Sequence, residues 1–209
     1  IVPIAQRIRN VRTLRLDGGK TARDIADRSH RFQRMFFGKN STLVVPGVSS
    51  ESREYLPVGL LDNRATVTNL AFALYDAPLW NMAIIASKLH LVWIGTVCGK
   101  MKTDYRYSNT LGWNTFPVPD LTEQNKADLT RSAEKILLAR ESHFPKTIAD
   151  LYDSETMPAN LREAHEHNDE TLERIYIGRR FKNDTERLEK LFELYTQMTA
   201  KKTAATKQR

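Results

Sequence analysis

The side chains with the strongest chemical character lie between Cys98 and Pro119. This stretch mixes cations, flat aromatic rings and amides, namely Lys100, Lys102, Arg106, Tyr105, Tyr107, Trp113, Phe116, Asn109 and Asn114. Cations hold phosphates, whereas planar and bidentate groups can meet the edges of bases. The mixture therefore favours a nucleic-acid partner whose phosphates and base edges are both contacted. A strand and turn with ordinary surface charges is the alternative.

Side-chain alternation makes the hypothesis more specific. If residues 100–108 form one strand, alternate side chains share a face, and the first set is Lys100, Lys102, Asp104 and Arg106. Such a face suits groove readout, because Arg or Lys binds guanine and Asp accepts from the cytosine amine. The opposite set, including Tyr105 and Tyr107, would pack inward. The alternative is that the four charged side chains simply face solvent.

No metal or catalytic site is predicted. His165 and His167 are two residues apart on a predicted helix, so they point to different faces. Ser49, Ser50 and His30 form no recognisable nucleophile–base set. The single cysteine, Cys98, excludes an internal disulfide and is typical of a reducing cytoplasm.

Helical and extended patterns alternate along the chain. Apolar spacing predicts a helix over 4–16, a buried helix over 79–97, and further helices after Asp120, Pro158 and Asn183. Short β-rich runs lie at 41–48, 55–61 and 65–74. The residues 98–119 would then follow the buried helix directly.

Positive charge is concentrated at the two ends of the chain, whose net charge is +7. Residues 1–37 hold nine Arg or Lys and three Asp, whereas residues 121–198 hold twelve basic and sixteen acidic side chains. Dispersed cations favour a polyanionic partner. Arg9 and Arg12 on the first helix are candidate phosphate contacts, although a solvated helix face would look the same.

Three separated segments resemble the MmeI-like (type IIL) restriction–modification DNA methyltransferases. Residues 105–119, with Tyr105-Arg106-Tyr107-Ser108 and then Asn114-Thr115-Phe116-Pro117-Val118-Pro119, resemble the end of that family's target-recognition domain. Val44–Gly59 resembles the entry of the same domain, with Gly47 where the family has Arg. The segment from Asp120 onward, including Ile175–Phe181, is similar to the family's helical C-terminal domain.

The resemblance implies a division of labour within a longer protein. The parent would be a bacterial N6-adenine methyltransferase that uses S-adenosylmethionine, and its catalytic domains would precede this chain. The family's adenine-pocket loop, Asp/Asn-Pro-Pro-Tyr/Phe, and its glycine-rich cofactor turn do not occur in this sequence. We therefore expect no cofactor and no catalytic residues in this chain. The expected partners are double-stranded DNA, contacted also through Ser49, Ser50 and Arg53, and the methyltransferase domain of the same polypeptide.

The expected architecture is α+β, with a small twisted β-sheet, flanking helices and a helical C-terminal bundle. We predict a helical lead-in at 1–37, a target-recognition domain at 38–119, a helical domain at 120–198 and a disordered basic tail at 199–209. No apolar run reaches the length of a membrane span, and the expected location is the cytoplasm. Two other functions stay open: a helical scaffold or dimerisation module without DNA contact, and a binder of single-stranded nucleic acid through its tyrosines.

Overall fold

The computed structural model describes residues 2–207, with side chains described for residues 2–200. The chain forms two compact units, Ile1–Phe37 and Gly38–Arg209. The second unit contains both the segment predicted as the recognition domain and the one predicted as the helical domain. The α+β class is confirmed, because helices are combined with small antiparallel sheets and the C-terminal region is helical.

The first unit consists of helices α1 (Val2–Leu16) and α2 (Lys20–Arg23) and a short helical turn at Ala26–Arg28. Helix α1 is the helix that the sequence predicts at 4–16. Its Arg15 folds back on the end of the unit. The guanidinium donates to the carbonyl oxygens of Ile25, Arg28 and Arg31, at 3.1, 2.9 and 2.7 Å. Arg15 therefore holds the unit together.

The larger β-sheet begins the second unit. Its strands are β1 (Ser41–Pro46), β3 (Gly59–Asp62) and β4 (Ala71–Tyr75). They are antiparallel in the order β3–β1–β4. Leu43 and Val45 on the central strand are buried on one face of the sheet, and Thr42 on the opposite face is buried as well.

A second small sheet carries the residues of chemical interest. Its strands are β2 (Val48–Ser49), β5 (Lys100–Met101) and β6 (Asp104–Arg106), antiparallel in the order β2–β6–β5. The chain passes from the first sheet to the second at Gly47. A Cβ atom there would lie 2.7 Å from the carbonyl oxygen of Leu70, so the Arg that the family has at this position would require a backbone shift.

The predicted helix at 79–97 is two helices, α3 (Trp80–Ile85) and α4 (Lys88–Val97). The break falls at Ala86–Ser87, where the Ser87 hydroxyl accepts from the His90 backbone N–H at 3.2 Å. Buried residues continue at helical spacing across this break, so the apolar pattern of the sequence predicts one continuous helix. The serine side chain caps α4 and satisfies one of its free donors.

Four helices complete the second unit. They are α5 (Glu123–Glu141), α6 (Ile148–Leu151), α7 (Ala159–Ile177) and α8 (Asp184–Lys207). Helix α5 begins with a capping box between Thr122 and Asn125, not at Asp120 as the sequence suggests. Helix α5 packs on α3 and α7, and α4 packs on α8. Trp93 is buried with its ring 5.2 Å from Phe192.

The last helix is longer than the sequence predicts. Its backbone is helical through Lys207, whereas the sequence predicts a disordered tail from residue 199 onward. Ala and Lys are strong helix formers, and the Thr199 hydroxyl donates back to the carbonyl oxygen of Tyr195 at 3.1 Å. Residues 208–209 lie outside the described part of the chain. No described helix is both long and apolar enough to cross a membrane.

Candidate nucleic-acid interface

The segment 100–106 is a hairpin, and the prediction of one continuous strand is wrong. Strands β5 and β6 are joined by a tight turn at Lys102–Thr103, with Lys100 opposite Tyr105 and Met101 opposite Asp104. Lys102 has a φ of 58°, which lies in the left-handed region that short hairpin turns use. Glycine, asparagine and aspartate usually mark such turns. Since the Lys-Thr pair gives no such signal, the turn was missed.

The hairpin changes which charged side chains share a face. Residues directly opposite each other on antiparallel strands project to the same side. Asp104, Arg106 and Val48 therefore lie on one face of the small sheet, while Lys100 lies on the other with Tyr105 and Ser49. The predicted four-residue face is thus divided, and only Asp104 and Arg106 remain together on it.

Lys100 and Asp104 are both engaged within the protein. The Lys100 ammonium is 3.7 Å from a carboxylate oxygen of Glu51 and 5.8 Å from the centre of the Tyr105 ring. The Asp104 carboxylate accepts from the Glu51 backbone N–H at 3.3 Å. These contacts tie the hairpin to the end of β2, so both side chains have a structural role whatever else they bind.

Lys102 and Arg106 are the cations that the hairpin leaves available. Both are exposed. Neither side chain forms a hydrogen bond or ion pair with the part of the chain that the structure describes. Beside Arg106 lies a hollow of about 370 Å³ lined also by Phe72, Gly99, Tyr107 and Ser108.

A buried aromatic cluster supports the base of the hairpin. Tyr107, the residue after Arg106, is buried, and its hydroxyl lies 3.0 Å from His90 Nε2. The Tyr107 backbone N–H donates to the Gly47 carbonyl oxygen at 2.9 Å. Burial lowers the pKa of His90 to about 3 and raises the pKa of Tyr107, so both side chains are uncharged near neutral pH. Because Tyr107 and His90 are uncharged and packed, they hold in place the backbone of the hairpin that carries the exposed Arg106.

The tyrosines are not free stacking surfaces. Tyr107 is enclosed with Phe72 at 5.4 Å between ring centres, and Tyr105 is half-buried beneath Lys100. Binding of single strands usually relies on exposed aromatic rings. The geometry therefore disfavours binding of single-stranded nucleic acid through these tyrosines.

The amides follow in a wide helical turn at Asn109–Trp113. Ser108 accepts from the Leu111 backbone N–H at 3.2 Å, and Asn109 and Asn114 are exposed. Gly112 is buried, and a Cβ atom there would be crowded, at 3.1 Å from a methyl carbon of Ile94 and 3.2 Å from the sulfur of Cys98. The amides are thus presented at the surface by a turn that packs closely on α4.

The loop after β2 places the remaining predicted residues at the other edge of β6. The hydroxyls of Ser50 and Ser52 lie 3.0 Å apart. The Arg53 guanidinium reaches the Ser49 hydroxyl at 3.4 Å, a long hydrogen bond that leaves most of its donors unused. Ser49 itself is buried, so it supports the loop and offers little surface to a ligand.

Arg9 and Arg12 belong to the first unit. Arg9 donates to the Gln6 side chain at 2.7 Å, and Arg12 is paired with Asp27 at 3.3 Å, with its side chain 57% exposed. Exposed pairs of this kind are weak. Both guanidinium groups therefore keep donors for another ligand.

The two histidines of α7 are engaged in contacts within the protein. His165 is buried, with Nε2 2.7 Å from the Tyr152 hydroxyl, while His167 is exposed and 3.1 Å from the Lys135 ammonium. Within the described residues no group of three or more His, Cys, Asp or Glu side chains is placed to hold a metal ion.

Sequence reasoning missed the buried polar residues behind the interface. Arg140 donates to the Val58 carbonyl oxygen at 2.6 Å and, through Nε, to the Tyr152 hydroxyl at 2.9 Å. Asp169 is buried and accepts from the Tyr55 hydroxyl and the Lys88 backbone N–H. A signal existed for Arg140, because it lies on the same face of α5 as the buried apolar residues Leu129, Ala133 and Ile136.

These features define a small sheet with an exposed basic hairpin, backed by a helical domain, and the family models agree with that class. Residues 1–120 match the MmeI target recognition domain, and residues 121–203 match the MmeI C-terminal domain. The chain belongs to the MmeI family, as the sequence motifs indicated.

Two relatives extend the comparison. DNA methyltransferase A from Bacillus subtilis (strain 168) is 43% identical over 160 residues, which cover 77% of this chain and 18% of that protein. The solved structure of the type IIL restriction–modification enzyme MmeI in complex with DNA matches with a TM-score of 0.84 and 30% identity, over 94% of this chain and 26% of that one. The chain thus spans about a quarter or less of the length of these relatives.

Proposed function

We propose that this chain is the sequence-specific double-stranded DNA recognition module of a larger MmeI-family enzyme. The observation that carries the proposal is the hairpin β5–β6. It exposes Arg106 and Lys102, which have no hydrogen bond or ion pair with the described residues, on a buried, uncharged base. Unpaired guanidinium groups on a rigid element suit the acceptors of guanine in the major groove. The DNA in the related MmeI structure and the name of the Bacillus relative support the same conclusion.

The remaining predicted residues have two roles in this proposal. Arg53, Asn109 and Asn114 contact bases or the nearby backbone, and Arg9 and Arg12 hold phosphates without regard to sequence. Lys100, Asp104, Ser49 and Ser50 chiefly shape the hairpin and its adjoining loop. Affinity and base choice are therefore divided between different side chains.

Methyl transfer is assigned to the parent enzyme. The parent would use S-adenosylmethionine to methylate N6 of adenine, and its methyltransferase domain would be the covalent neighbour of this chain. A methyltransferase that acts on duplex DNA must turn its target base out of the stack, so a separate module has to hold the duplex and read the other base pairs. The proposed location is the bacterial cytoplasm, where that DNA is found.

A binding titration over a salt series tests the proposal. The 209-residue chain should bind duplex DNA more tightly than the same sequence as single strands, and log affinity should fall linearly with log salt concentration. Selection from a randomised duplex library should return an enriched sequence. A folded chain that binds no duplex at low salt would favour the scaffold function, and a preference for single strands would favour the third alternative.

A further inference from the structure

The loop that follows β2 is fastened to the C-terminal helices by its side chains. Glu54 forms an ion pair with Arg162 of α7. The Tyr55 hydroxyl donates to Asp169 of the same helix at 3.1 Å, in a buried contact. The Tyr55 ring stacks on His165, with ring centres 4.2 Å apart. Two consecutive loop residues are thus held by three positions along one face of α7.

Helix α5 fixes the far end of the same loop. Arg140 donates to the Val58 carbonyl oxygen, just before β3 begins at Gly59. The guanidinium also lies over the Tyr152 ring, 4.9 Å from its centre. A buried guanidinium is tolerated only when its donors are satisfied. The loop backbone is therefore part of what keeps Arg140 in place, and Arg140 in turn limits where that backbone can lie.

Asp169 joins both outer strands of the small sheet to the C-terminal domain. One carboxylate oxygen accepts from Tyr55, six residues after the end of β2. The other accepts from the Lys88 backbone N–H at 2.7 Å, at the start of the helix α4 that leads to β5. Strands β2 and β5 flank β6 on its two sides. The buried side chain of Asp169 thus anchors both the loop that follows β2 and the helix α4 that precedes β5, on the two sides of β6.

We propose that the C-terminal domain sets the position of the DNA-reading surface, with Arg162, Tyr55 and Asp169 as positioning residues for base choice. This inference rests on the proposed function. None of the three needs to touch DNA. They act through the loop 50–58 and through α4, because bidentate base contacts require side chains held within narrow limits of distance and angle.

The first test does not depend on DNA. Amide hydrogen exchange of the folded chain should rise in the loop 50–55 for Arg162→Gln, and further for the double variant with Tyr55→Phe. The central strand β1 should be unchanged. Arg174→Gln is the matched control, because Arg174 lies on the same helix and, among the described side chains, is paired with Glu170 alone, at 2.5 Å. Exchanging the charges, Glu54→Arg with Arg162→Glu, should restore protection.

The second test measures base choice in the same variants. In selections from the duplex library, the double variant should lose about fivefold discrimination while its salt slope stays that of the unaltered chain. Faster loop exchange together with lower discrimination supports the inference.

Three outcomes would overturn it. Unchanged loop exchange in the double variant refutes positioning by α7, whether or not the chain binds DNA. Faster exchange with an unaltered sequence profile shows that loop position does not set base choice, while the proposed function stands. An unaltered chain that fails to bind duplex overturns the proposed function and the link to base choice together, and the exchange result still decides whether α7 holds the loop.

Discussion

Replacing Arg106 by Ala should change the preference for one base pair and leave the fold intact. The side chain is exposed, and it makes no hydrogen bond or ion pair with the described residues, so the free energy of unfolding should change by less than about 0.5 kcal/mol. A guanidinium that meets two acceptors of guanine contributes about 1–3 kcal/mol of discrimination. The expected loss is therefore about five- to 150-fold at one position, with other positions retained.

The assay is library selection with the unaltered and variant chains at equal salt concentration, followed by binding to all single-base variants of the preferred site. Arg12→Ala is the comparison, because Arg12 is proposed to hold a phosphate without regard to sequence. It should weaken binding to all sequences alike. If Arg106→Ala also lowers every variant equally, then Arg106 holds a phosphate, and the reading residues lie elsewhere, in residues 49–55.

Three further predictions concern the support behind the interface. Ile136 is fully buried on α5, so Ile136→Ala should lower the free energy of unfolding in urea by about 2–5 kcal/mol; a change near zero would mean that the α5 face is misassigned. Arg140→Ala should cost about 2–4 kcal/mol in the same measurement, because it leaves the Tyr152 hydroxyl and a backbone carbonyl without their donor; a neutral result would contradict the buried network. Burial lowers the pKa of His90 and His165 from 6.5 to about 3, so the unfolded chain binds more protons at these two side chains, and their contribution to stability should be complete above pH 6.5 and lost toward pH 3. Burial raises the pKa of Asp169 to about 7, which contributes a slope of opposite sign between pH 3.8 and 7, so the histidine contribution is measured by comparing variants. Each histidine contributes a slope of about 1.4 kcal/mol per pH unit, and His90→Gln should reduce the measured slope by that amount.

The helices were largely predictable, because their signals are local. The apolar face of α5 appears in the sequence as Leu129, Ala133 and Ile136, and all three are fully buried. The cap of α8 was also evident, since Asn183 accepts from the Glu186 backbone N–H at 2.9 Å. Side-chain spacing and capping chemistry act within a few residues, so a single sequence displays them.

The small sheet β2–β6–β5 was less predictable, because its geometry depends on partners distant in sequence. Strand β6 is placed by β2, more than fifty residues earlier, and its hairpin turn lacks the residues that usually mark one. The break before α4 was hidden because apolar residues such as Met82, Ala86 and Leu89 keep helical spacing across it. Glu54 and Tyr55 gave no local sign of their partners on α7, which lie more than one hundred residues away.

The two-residue turn at Lys102–Thr103 ends the hairpin, so the number of residues in β5 and β6 sets how far its tip projects from the sheet. A strand rises about 3.3 Å per residue, so adding one residue to each of β5 and β6 would extend the tip by about that distance and reverse the faces of its last side chains. Adding two residues to each strand would extend it by about 7 Å and restore the original facing. Neither insertion alters the buried base at Tyr107. Under the proposed function, base preference can therefore change with hairpin length as well as by substitution, because a longer or shorter hairpin would place its tip at a different depth in the DNA groove.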